Sequence, residues 1–181
     1  FWDGVSLPTT PIKEDLDLPG KNTAGDTVTW TSGDQSLITN DGELLDRPAN
    51  ATAVQMTASI GQQTKIFTIT VAGTDTLLQE AYDALTLLNT DDVRGNLPLI
   101  KEGENGVAIT WESSGDTVIS DSSDDPDSLY DGGEVTRPAA GGSAVPVTLT
   151  ATLSLDGQTL RKEFNVTVQP MPEDLDTDYT A

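Results

Sequence analysis

The sequence predicts an all-β chain, two small antiparallel β-sandwiches in tandem joined by a short α-helix. Three observations carry that prediction. VTWTSGDQSLIT (28–39) returns 81 positions later as ITWESSGDTVIS (109–120). Apolar and polar residues alternate with a period of two over several short runs, which places one set on one face of a strand. Only the stretch 74–89, TDTLLQEAYDALTLLN, has its apolar residues at helical spacing.

The elements follow in chain order. Residues 1–38 align with 82–119 without a gap, pairing Leu16 with Leu97, Gly25 with Gly106, Trp30 with Trp111 and Ile38 with Ile119. Val28 and Trp30, like Ile109 and Trp111, stand two apart on an expected strand. LLDRPA (44–49) matches EVTRPA (134–139), and the prolines suit strand ends because they lack a donor. AVQMTASI (53–60) matches PVTLTATL (146–153), and IFTITV (66–71) matches EFNVTV (163–168). Thr, which is β-branched and tolerates water, fills many outward positions. The second copy carries extra residues in SSDDPDSLYD (122–131) and SLDGQTLRK (154–162), both read as surface loops.

Leu77, Leu78, Ala81, Leu85 and Leu88 predict a helix at about 76–88, opened by a capping box of Thr76 and Gln79. Its stripe is expected to face the second sandwich or the junction. Phe1 aligns with Tyr82, so the first copy is expected to start partway through its own helix, as in a fragment of a longer protein. The expected domains are 1–73, then linker helix plus second domain over 74–170, then a disordered or linker tail at 171–181.

Composition narrows the chemistry. The 181 residues are 35% hydrophobic and only 5% aromatic, so two modest cores of Val, Ile, Leu and Ala are expected, with Trp30 and Trp111 as core residues. A formal charge of −21 disfavours nucleic acid, whose binding rests on Lys and Arg meeting phosphate. With neither Cys nor His, disulfides, Cys/His zinc sites and Ser-His-Asp or Cys-His catalysis are excluded. No apolar run is long enough to span a bilayer as a helix, so membrane insertion is not expected.

TWESSGDTVIS, GGEVTRP, PVTLTATL and EFNVTV in the second copy resemble the atrophied bacterial Ig-like domain, and DALTLLNTDDVRGNLPL is similar to that family's lead-in. The first copy departs from the pattern, with LLDRP for VTRP and QMTASI for LTATL. The resemblance implies a fold of two tandem Ig-like antiparallel β-sandwiches. It further implies a non-catalytic accessory or spacer segment of a large secreted or surface-bound bacterial glycoside hydrolase, extracellular or associated with the cell wall. Such enzymes often act on arabinose- or galactose-containing plant polysaccharides. The implied partners are neighbouring domains of the parent chain, with a plant or host polysaccharide as a further one. A carbohydrate-binding or surface-adhesion module is the alternative.

Two groups of residues are candidates for binding. Trp2 and Tyr130 are the aromatics best placed to be exposed, and sugar rings stack on exposed aromatic faces flanked by polar groups. DSSDDPDSLYDGGE (121–134) gathers Asp121, Asp124, Asp125, Asp127 and Asp131, hard oxygen donors of the kind Ca²⁺ takes. Their spacing differs from an EF-hand loop, and a solvated acidic loop is the plainer reading. No other cofactor is expected, and no residue of the chain is assigned a catalytic role.

Overall fold

The computed structural model describes residues 1–173; of the stretch expected as a tail, positions 174–181 lie outside the described residues. The chain divides into two compact units, Phe1–Leu77 and the part from Leu78 onward. Each is built on one three-stranded antiparallel sheet.

In the first unit β1 (Thr29–Ser32) pairs with β2 (Thr52–Ile60), which pairs with β3 (Gln63–Val71), in spatial order β1-β2-β3. Alternation does what the sequence predicted for β2: Val54, Met56, Ala58 and Ile60 are buried and Gln55 is not. Gly61, at φ 59°, opens the β2–β3 hairpin, a position where glycine meets no Cβ penalty. Two core clusters form. Ile12, Leu16, Ile38, Val54, Met56, Ile69 and Val71 make one; Val5, Val28, Ala58 and Ile60 make the other. Trp30 is half-buried and packs against both.

In the second unit β4 (Ala108–Ser113), β5 (Val145–Leu155) and β6 (Gln158–Val168) repeat the order. The segment 154–162, expected as a loop, is instead the tip of a long hairpin: Ser154 pairs with Thr159 and Leu155 with Gln158. Only Asp156 and Gly157 turn, at φ 48° and 78°, and Asp-Gly suits the type I′ turn that matches strand twist. Here the core is one continuous cluster that includes Trp111, Ile119, Leu149, Leu153 and Val166.

The helix expected near 76–88 is α1, Thr74–Ala84. The expected capping box does not form. Instead Asp75 Oδ1 accepts from the Thr76 N–H at 2.7 Å, and Gln79 donates to Asp83. Leu78, Ala81 and Leu85 sit in the second unit's core, whereas Leu88 is 77% exposed. A lysine caps the end of the helix. Lys162 Nζ, from β6, donates to the carbonyls of Tyr82 at 2.6 Å and Leu85 at 2.8 Å and lies 4.5 Å from the Tyr82 ring centroid. A cation at the C-terminal turn also opposes the helix dipole. Lys162→Met is expected to destabilise the second unit by about 1–3 kcal/mol, since two carbonyls lose a charged donor. Amide exchange at residues 81–85, accelerated relative to the β5–β6 hairpin, checks it.

Outside the strands the copies share three further pairs of single bridges. Ile12 with Val71 matches Val93 with Val168; Lys21 with Thr27 matches Glu102 with Ala108; Ile38 with Leu44 matches Ile119 with Val135. One bridge among the described residues has no counterpart: Ile100 with Tyr130.

Candidate functional site

The polar groups that recur in both copies are engaged in holding backbone. The Trp30 indole donates to the Pro19 carbonyl at 3.0 Å, and Trp111 to Ile100 at 3.0 Å. Phe67 lies 5.4 Å from Trp30 and Phe164 lies 5.7 Å from Trp111, ring centre to ring centre. Arg47 donates to the carbonyls of Ala72 and Lys13; Arg137 donates to those of Gln169 and Pro170. The repeated Arg-Pro thus ties the chain leaving the last strand of each sheet. Trp30, Trp111, Arg47 and Arg137 therefore serve the fold's own backbone.

The acidic candidates divide between several tasks. Asp121 Oδ2 accepts the Ser113 N–H at 2.9 Å, as Asn40 Oδ1 accepts that of Ser32 at 2.8 Å. Asp125 Oδ1 accepts from the Asp127 N–H, closing a local turn, and the Asp131 N–H donates to Leu99. Asp124 and Asp125 line a cleft with Tyr130. Among the described residues no three acidic side chains are grouped so as to hold a metal ion. Asp121→Asn is expected to leave stability unchanged, because Asn40 already does this work in the first unit. Asp121→Ala, which strips the Ser113 amide of its partner, is expected to cost about 1–2 kcal/mol in urea denaturation.

Of the two aromatic candidates, Trp2 is half-buried and packs on the cluster of Val5, Val28, Ala58 and Ile60. Tyr130 is 44% exposed. It lines an open cleft of about 650 Å³ between residues 96–98 and the loop 120–134. A second cleft, of about 700 Å³, shares Asn96, Leu97 and Pro98. The serines of this region were not singled out from the sequence. The signal that could have found them is the insertion 122–131 itself, which interrupts an otherwise matching repeat.

Elsewhere, Asp34 is held below the usual carboxylate range by the Ser36 hydroxyl, which donates to Oδ1 at 2.6 Å, and by the Ser36 amide. This shapes an exposed turn after β1 and brings no second carboxylate with it. No helix among the described residues is long and apolar enough to cross a membrane.

The comparisons agree with this picture of a repeated packing unit. A curated relative, an α-L-arabinofuranosidase of Bifidobacterium longum subsp. longum, is 34% identical over 174 residues. The match takes in 85% of this chain but spans only 16% of the relative's length. The model of the atrophied bacterial Ig domain matches twice, at 7–74 and at 78–171. Each match covers one sheet with its bridged loops, and on that ground the chain belongs to the atrophied bacterial Ig domain family, in two consecutive copies.

Proposed function

We propose that the chain is a non-catalytic accessory segment of a larger bacterial glycoside hydrolase, acting outside the cell as a spacer that positions the catalytic domain. One observation carries the reading: the polar groups common to both copies are engaged in internal backbone contacts. The relative's name and the small share of it that this chain matches support the hydrolase context. In this reading each unit is a reduced two-layer sandwich. Its second layer is the bridged segments 38–44 and 119–135, whose Ile38 and Ile119 are fully buried against the sheets. The helix at 74–84 then serves as the link between domains. No cofactor is required; a calcium-dependent rise in melting temperature, lost in Asp124→Ala, would add one.

The test deletes this segment from the parent hydrolase. Turnover of a small soluble arabinofuranoside is expected to stay within about twofold, since no transition-state contact is removed. Release of sugar from an insoluble polysaccharide is expected to fall. Hydrolysis by the isolated 181-residue chain would overturn the proposal. So would a deletion that abolishes turnover of the small substrate while the hydrolase domain stays folded.

A further inference from the structure

We infer that the cleft between residues 96–98 and the loop 120–134 binds neutral polysaccharide, with Tyr130 as its stacking platform. The inference goes beyond the spacer reading and does not depend on it.

Three features carry it. First, one wall of the cleft, with Ser122, Ser123, Asp124, Asp125, Ser128 and Tyr130, comes from an insertion that the first repeat lacks. The first repeat closes the three shared bridges and the same Trp contact without that insertion. Second, the backbone that carries Tyr130 is anchored. It is bridged to Ile100, flanked by the Lys101 N–H donating to Leu129 and the Asp131 N–H donating to Leu99 at 2.7 Å. Its own N–H donates to Ser128 Oγ at 3.1 Å, and the Ile100 carbonyl is fixed by the Trp111 indole. An anchored loop does not have to be ordered when a ligand stacks on the ring it carries, which lowers the cost of binding. Third, the lining has one chemical character. Beside Tyr130 stand Pro98, Asn96, Ser122, Asp124 and Glu134, and no Lys or Arg lines the cleft. Hydroxyl, amide and carboxylate oxygens accept from sugar hydroxyls while the ring covers an apolar sugar face. The same carboxylates repel uronates, phosphates and nucleic acid.

The experiment is affinity gel electrophoresis of the whole chain in gels containing arabinan, xylan, mixed-linkage β-glucan or polygalacturonate. Retardation by at least one neutral glycan, and none by polygalacturonate, is expected. Tyr130→Ala is expected to weaken retention about tenfold or more, as loss of a central aromatic does. Tyr130→Phe, which keeps the ring face, is expected to retain it. Ser122→Tyr, which fills the cleft from an exposed position, is expected to abolish it even if Tyr130→Ala unfolds. Trp2→Ala is expected to leave it intact. Absence of retardation by every neutral glycan overturns the inference. So does retention unchanged in both Tyr130→Ala and Ser122→Tyr, or retention that vanishes with EDTA, which would assign it to a metal. None of these results bears on the deletion experiment, which reads the parent enzyme.

Discussion

Trp111→Ala is expected to cost the second unit about 3–5 kcal/mol, the range for removing a large buried aromatic. Trp111 is 7% exposed, and its ring contacts Phe164 within a single continuous cluster. The substitution opens a cavity there and also strips the Ile100 carbonyl of its indole donor. Trp111→Phe retains an aromatic body but loses that donor and part of the ring volume, so about 1–3 kcal/mol is expected. Urea denaturation followed by circular dichroism measures both. A loss under about 1 kcal/mol for the alanine variant, an ordinary surface value, would mean that the indole does not organise this core.

Gly133→Ala is the second large effect. Gly133 has φ 87°, and a Cβ there would fall on the Leu97 carbonyl oxygen. The Leu97 N–H donates to the Gly133 carbonyl at 2.8 Å, so the methyl group would drive apart a pair of backbones that hold each other. Left-handed strain alone costs an alanine about 1–2 kcal/mol, and the collision should bring the loss to about 3 kcal/mol or more. Gly157→Ala is the matched control. Its φ is 78°, yet nothing lies within 4 Å of the added methyl, so only the strain remains. If the two variants melt together, the close approach at Leu97 is not what demands glycine. Gly42 stands in the same relation to Leu16 in the first unit.

The repeat makes most of the fold legible in the sequence. Paired residues at a fixed offset cannot arise from helix or strand propensity, and Trp30 and Trp111 do make the same contact. What stayed hidden depends on partners far away in the chain. Leu88 fits the apolar stripe of a helix, but the helix ends at Ala84, where Lys162 caps the carbonyls of Tyr82 and Leu85. Nothing local to residue 88 signals a lysine 74 positions later. SLDGQTLRK looks polar enough for a loop, yet pairing with its own neighbour across Asp-Gly satisfies its backbone as strand. Asp121 was readable in principle. Its counterpart at the fixed offset is Asn40, and a position filled by Asn in one copy and Asp in the other points to a shared neutral task, accepting a backbone N–H. The cleft beside Tyr130 was half visible: the aromatic stood out, while its bridge to Ile100 joins residues whose pairing no periodicity announces.

The two interiors are unequal. One repeat has its buried side chains in two groups that share the partly exposed Trp30, and the other has them in one mass. Pulled from both ends, such a chain should not yield everywhere at once. The repeat with the divided interior is expected to let out its length at the lower force while its neighbour stays folded, so a stretching trace should show two rupture events of different height.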